Sequence, residues 1–332
     1  MDIPSKYRHN IEPFINKSNF KNVILSCYMS LKKDPIHAHE CNDGKQTTDN
    51  FEYIKPLYST AKELNLHLII FHDNLSIDFI SKYSTDKIFF LKTNLNPNGL
   101  SINDERYIIY YEFLKTQNYE FVLTSDVSDV FITSDPFELF NVKDLTKYTE
   151  LKDLTVKHLH KKYEPAVKYT IYEREKFIKI YNELPKNIFN FENKLFIGTN
   201  SMIRDSFTND WFKRRKWKTD RFNSILKEIN FDSIGFQEKQ KQMYNCGLLM
   251  AKYDIYIDFI EKFLNVLFAL CTKNESKNWN MVIANYVVVK YYFNNYNEEL
   301  FISDEMYSGF PFNSMYKKLE YSRNSLSCLV HK

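Results

Sequence analysis

Apolar residues along this chain alternate between two rhythms. Residues 22–28 (NVILSCY) form a short β-rich apolar run, and the polar stretch 32–50 that follows carries Pro35 and Gly44, which predicts a strand and then a long loop. Over 51–64 the apolar positions Ile54, Leu57, Tyr58, Ala61 and Leu64 recur at helical spacing, and 67–71 reads as a second strand of the buried type. Strand, helix and strand at this spacing predict a βαβ unit. The rhythm then repeats: 87–91 is a short strand, Ser101 with Asp104 three residues later can form a capping box, and 102–115 is strongly periodic. Residues 120–124 (EFVLT) predict a further strand that stops abruptly at SDVSD. Alternation of this kind predicts an α/β fold, a mostly parallel sheet flanked by helices.

The second half is less regular. Between 141 and 193 the chain turns polar and Lys-rich with weak helical periodicity over 172–184, which predicts an insertion or lid. A further strand is expected at 194–197, a long buried helix at 255–270 and another apolar segment at 281–293. No internal repeat or low-complexity linker separates two domains, so 1–332 reads as one domain, with portions 20–140 and 194–332 on either side of the insertion.

Composition narrows the function. With 44% hydrophobic and 17% aromatic residues over 332 positions, the chain has ample material for a core and is not a disordered one. Its six glycines are too far apart to make G-x-G-x-x-G or G-x-x-x-x-G-K-[ST], which excludes a standard dinucleotide fingerprint, a P-loop and a kinase glycine loop. The five cysteines show no C-x-x-C, so neither a zinc knuckle nor a disulfide framework is signalled, and they read as reduced core thiols. A net charge of +3 does not call for a polyanionic partner. The N-terminus is polar, and the most apolar stretch, 263–271, is far shorter than the roughly 20 residues of a membrane span. A soluble, intracellular, cytoplasmic protein is expected.

The chemistry concentrates in residues 121–140, FVLTSDVSDVFITSDPFELF. Ligands of open α/β sheets bind beyond the carboxyl ends of the strands, where Asp126 and Asp129 stand. Carboxylate oxygens are the hard donors that Mg²⁺ or Mn²⁺ prefers. Asp126, Ser128 and Asp129 are also common in Asx-type turns at strand ends, and the spacing by itself allows both readings. Asp135, directly before Pro136, reads as a helix N-cap region instead. The run Lys213–Lys218 (KRRKWK) invites a nucleic-acid reading but suits a solvated face as well, and the His37/His39 and His158/His160 pairs lack partners at metal-site spacing.

The aspartate stretch resembles the signature of GT-A-type glycosyltransferases, particularly viral, bacterial and plant members, in which an apolar strand leads into D-x-x-D and then P-F. Other segments match in kind and order: 103–107 (NDERY), Asn245-Cys246-Gly247 ahead of a long helix, 280–286 (NMVIANY), 308–312 (SGFPF) and 330–332 (VHK). The resemblance spans roughly residues 22–332. It implies a GT-A fold with a Rossmann-like sheet, a nucleotide-binding portion at 20–140, a lid at 141–193 and a donor- and acceptor-side region at 194–332. It further implies transfer of a sugar from a nucleoside-diphosphate sugar, UDP-sugar favoured, to a hydroxyl acceptor such as a glycan. Asp126, Asp129 and His331 are implied as metal ligands, and the imidazole favours Mn²⁺ over Mg²⁺.

Ser26, Tyr28, Asp104, Arg106, Ser128 and Lys332 are implied on the nucleotide side, with Arg106 orienting the aspartate loop. Asn245, Gly247, Asn280 and Gly309 are implied near the donor sugar and acceptor. Asn280 stands where a carboxylate is expected, so no catalytic base is assigned. Two other classes remain open from the residues: a metal-dependent phosphohydrolase or nucleotidyltransferase, and a non-catalytic nucleic-acid-binding module, against which the low net charge argues.

Overall fold

The computed structural model describes residues 1–32, 45–94, 100–141, 191–199, 244–271, 279–292, 301–303, 312–314 and 329–331. Most of the expected lid at 141–193, together with Gly309, Lys332, the basic run 213–218 and both histidine pairs, lies outside the described residues.

The first βαβ unit forms as the pattern predicts, from β2 (Asn22–Tyr28), α1 (Phe51–Glu63) and β3 (Leu68–His72), after a short strand β1 (Asn10–Ile11). α2 (Ile77–Tyr83), β4 (Ile88–Asn94), α3 (Ile102–Leu114) and β5 (Phe121–Ser125) continue it. β6 (Val130–Ile132), β7 (Leu195–Thr199), β8 (Tyr244–Lys252), α4 (Tyr253–Cys271), α5 (Asn280–Val287), β9 (Phe301–Ser303), β10 (Phe312–Ser314) and β11 (Leu329–His331) are the remaining described strands and α-helices.

The main sheet has eight strands in the order β1-β4-β3-β2-β5-β8-β7-β9. β4, β3, β2 and β5 are mutually parallel, as are β7 and β9, whereas β8 runs antiparallel between β5 and β7. The sheet is therefore parallel where the βαβ units build it and mixed beyond β5.

Strands β3 and β5 are buried along their whole length because helices cover both faces. Val23, Leu25, Ile69, Phe71, Val122 and Leu249 enter one core with α3, α4 and α5. Ile24, Ile70, Leu123, Leu248 and Met250 enter the other, with α1 contributing Ile54, Leu57, Tyr58 and Ala61 as its spacing predicts. Each fully buried aliphatic side chain of this kind contributes about 1.5–3 kcal/mol relative to an exposed one.

A second, three-stranded sheet matters more for function. β11 lies parallel to β10 and antiparallel to β6, with His331 opposite Val130. This pairing carries the far end of the sequence back to the aspartate turn.

Candidate metal centre

β5 ends where its apolar run ends. Ser125 is still in the sheet, its carbonyl accepting the Ser26 hydroxyl at 2.7 Å, and the next residue, Asp126, donates its N–H to the Gly247 carbonyl at 3.0 Å. Val127 is buried in the core, which fixes the turn and leaves Asp126, Ser128 and Asp129 half-buried. The register of β11 against β6 then sets His331 across from Val130 and so beside Asp129.

His331 Nε2 lies 3.4 Å from Asp126 Oδ2 and 3.6 Å from Asp129 Oδ2. One ligand atom from each of the three residues falls within 4.8 Å of the others. Gly247 walls the opposite side. A Cβ there would press into Asp126 Oδ2 and stand 2.8 Å from His331 Cε1, so only glycine leaves the space open.

The electrostatics are strongly polarised. Arg106, buried on α3, pairs with Asp126 Oδ1 and leaves Oδ2 turned to the centre. Burial works against the Asp126 carboxylate, but the Arg106 guanidinium and the His331 ring outweigh it and hold the group well below the usual carboxylate range. Burial likewise works against a charged His331, yet the surrounding Asp129 and Asp126 push it up to about 10. Asp129 Oδ1 is buried and has no hydrogen-bond partner. An anionic oxygen left so is costly, and a cation is the partner that fits it. Two carboxylates, one imidazole and an open cradle formed by Gly247 thus fit a divalent first-row metal.

The other expected residues fall into distinct positions. Ser26 is fully buried and bonded into β5. Tyr28 is also buried, its hydroxyl donating to the Thr47 carbonyl and accepting the Asn50 N–H at 3.0 Å, which ties the loop ahead of α1 to the end of β2. Asp104 is buried behind the site with both carboxylate oxygens on the Trp279 N–H, at 2.8 and 3.0 Å. Asn280 opens α5 and accepts the Met281 N–H on its own side chain. Asn245 and Gly247 lie on β8, not in a free turn, and Asn245 Nδ2 approaches His331 Nδ1 at 3.1 Å.

Two further buried polar residues, neither singled out for a site, hold the chain where β2 ends. Asp73, just past β3, receives the Ser30 N–H at 2.8 Å and the Leu31 N–H at 2.9 Å, fixing the chain where β2 ends. An aspartate directly after an apolar strand is the signal that marked Asp126, and it marks Asp73 equally. Glu105 is buried with Lys32 Nζ at 2.6 Å and His9 Nε2 at 3.4 Å, a contact that no local pattern foreshadows.

No family model matches the chain. No curated protein matches it in sequence either. Among solved structures it is similar to the galactosyltransferase LgtC in complex with donor and acceptor sugar analogs, with 10% identity over 93% of this chain and 86% of that one and a TM-score of 0.38. The α/β assignment stands on the strand pairings themselves. No described helix is long and apolar enough to cross a membrane.

Proposed function

We propose that this chain is a metal-dependent glycosyltransferase of GT-A type, moving a sugar from a nucleoside-diphosphate sugar, UDP-sugar favoured, to a hydroxyl acceptor. The observation that carries this reading is the cluster of Asp126, Asp129 and His331 at the carboxyl end of β5, with one buried Asp129 oxygen unpartnered. The ordered motifs around it supply the reaction class.

Asp126, Asp129 and His331 would hold Mn²⁺, with Mg²⁺ the second choice. Such an ion supplies electrostatic stabilisation for the negative charge that grows on a departing diphosphate. Arg106 holds Asp126 by one oxygen, so that the other keeps its aim without needing the metal to orient it. The nucleotide lies over the ends of β2 and β5, with Ser26, Tyr28 and Asp104 supporting that edge and Ser128 and Lys332 toward the phosphates. Asn280 and Gly309 belong to the donor-sugar and acceptor side. The absence of a side chain at Gly247 lets a ligand approach backbone and carboxylates together.

The test is nucleoside-diphosphate release from a panel of nucleotide sugars, with Mn²⁺ and with EDTA. Mn²⁺-dependent release of UDP from one UDP-sugar is expected, together with a fall of at least about 100-fold in Asp129→Asn, on the scale of losing one electrostatic stabiliser. Release of inorganic phosphate or pyrophosphate instead would move the chain to the phosphohydrolase or nucleotidyltransferase class. Full activity in Asp129→Asn would remove the site assignment.

A further inference from the structure

Strand β8 breaks its ladder where it passes the cation centre. On the β7 side the register jumps, so that Ile197 faces Leu249 and Gly198 faces Asn245, which leaves Cys246, Gly247 and Leu248 without a counterpart in β7. On the β5 side the last pair is Leu248 with Ser125, because the chain then leaves for the aspartate turn. Cys246 and Gly247 therefore form a bulge, the device by which a strand bends and re-aims its residues beside a site. The bulge brings Gly247 against Asp126 and His331, where a Cβ would stand 2.8 Å from His331 Cε1.

A bulge takes peptide groups off the ladder, and buried ones need other partners. Just ahead of it, Tyr244 is held by the Asn285 amide, which accepts the Tyr244 N–H and donates to its carbonyl, both at 2.8 Å. The Gly247 N–H donates to Asn245 Oδ1 at 2.9 Å, and the Gly247 carbonyl accepts the Asp126 N–H at 3.0 Å. The Cys246 carbonyl accepts the Tyr107 hydroxyl at 2.9 Å, a contact between two buried residues. Tyr107 reaches across from α3, the helix that sends the preceding residue, Arg106, to Asp126. Its ring stacks on Phe263 of α4 with centroids 4.2 Å apart, and the Arg106 guanidinium lies over it at 5.3 Å from the centroid, so the hydroxyl has a fixed direction. Two consecutive residues of one helix thus hold the two sides of the cradle, Arg106 the carboxylate and Tyr107 the bulge.

We propose that Tyr107 is a positioning residue for the cation centre: by holding the Cys246 carbonyl it keeps the β8 bulge pressed toward the aspartate turn, so that Gly247 stays against Asp126 and His331. It acts through Gly247 and touches neither the cation nor the donor. This rests on the metal reading given above. Without the hydroxyl the buried Cys246 carbonyl loses its partner, and the costly orphan is relieved when that peptide turns to find another donor. Gly247 is the next residue, so the turn carries it away from the two ligands and loosens the cradle.

Mn²⁺ binding to the full chain with no donor present, read from the loss of the free-ion electron paramagnetic resonance signal well below the melting temperature of each variant, tests the proposal. Tyr107→Phe keeps the ring and its stacking and is expected to weaken Mn²⁺ binding by about tenfold, the lower end of what the outer partners of a metal site are worth. Tyr58→Phe is the control. Tyr58 is also a buried tyrosine whose hydroxyl donates to a backbone carbonyl, that of Tyr83 at 2.8 Å, but it lies on α1 in the other core. That variant is expected to keep parental Mn²⁺ affinity, whatever it does to the melting temperature. Parental affinity in Tyr107→Phe, or an equal loss in Tyr58→Phe, would overturn the proposal while leaving the metal reading intact. If the unaltered protein binds no Mn²⁺, both fall together.

Discussion

Gly247 decides the shape of the site more sharply than any charged residue does. A methyl group there would press into Asp126 Oδ2 and meet His331 Cε1 at 2.8 Å, and neither neighbour can retreat freely. Asp126 is held by Arg106 and by its own N–H on the Gly247 carbonyl, and His331 is fixed in a strand pair. Gly247→Ala is therefore expected to cut Mn²⁺ affinity at least about tenfold, on the scale of displaced metal ligands, and to lower the melting temperature as well. A titration that finds unchanged affinity would show that the cradle is wider than described. At this scale the sequence was legible where chemistry is local. Asp126 and Asp129 announce themselves as carboxylates straight after an apolar strand. The place of His331 came from a resemblance instead, because the register that brings β11 to β6 leaves no mark in either segment. The role of Asn285, which the resemblance sets with Asn280 near the sugar, was hidden in the same way, since the peptide group it bonds lies 41 positions away.

Helix α3 shows how an element can be predicted correctly and still do more than its pattern says. Ser101 and Asp104 were expected to cap it, and the Ser101 hydroxyl does accept the Asp104 N–H at 3.2 Å while donating to Asp104 Oδ2 at 2.8 Å. The carboxylate also spans to the Trp279 N–H, so the first turn of α3 is tied to the start of α5. The same helix sends Arg106 to Asp126, and it is buried on nearly every side from Asp104 to Leu114. Asp104→Ala removes the acceptor and leaves a buried N–H without it, which is expected to cost about 2–4 kcal/mol in urea unfolding. Asp104→Asn keeps one oxygen for the Trp279 N–H and is expected to lose less. Equal stability of the two variants would mean that the bridge contributes nothing. Strand β8 marks the opposite case. Its Asn245-Cys246-Gly247 start reads as a turn because Asn and Gly are turn formers, and only the neighbours β5 and β7 make it a strand.

Across the whole molecule, the same burial that closes both faces of the sheet also sets an acid limit on its stability. His9, His67 and His72 are buried, and burial pushes each from 6.5 to about 4. His67 is enclosed by Phe14, Phe20, Phe89 and Tyr119, with its two ring nitrogens on the Lys87 carbonyl at 3.1 Å and the Tyr119 hydroxyl at 3.0 Å. His72 Nδ1 accepts the Leu75 N–H at 3.1 Å, so a proton there would break a backbone bond. Each of these groups takes up its proton more readily in the unfolded chain than in the folded one. Between about pH 6.5 and about pH 4 the unfolded state therefore binds more protons, and stability must fall as the pH falls through that window. Each histidine contributes a slope of up to about 1.4 kcal/mol per pH unit within it. Denaturant unfolding at pH 6.5, 5.5 and 4.5 should show a steep decline in the parent and a shallower one in His67→Phe, whatever that variant's stability at pH 6.5. An unfolding free energy that stays level from pH 6.5 to 4.5 would mean that these rings are hydrated and that the two cores are looser than their packing indicates. Asp126 acts in the same sense but further into acid: paired with Arg106 and His331, it stays charged well below the usual carboxylate range, so the stability it contributes is lost only at a pH below the window in which the buried histidines act.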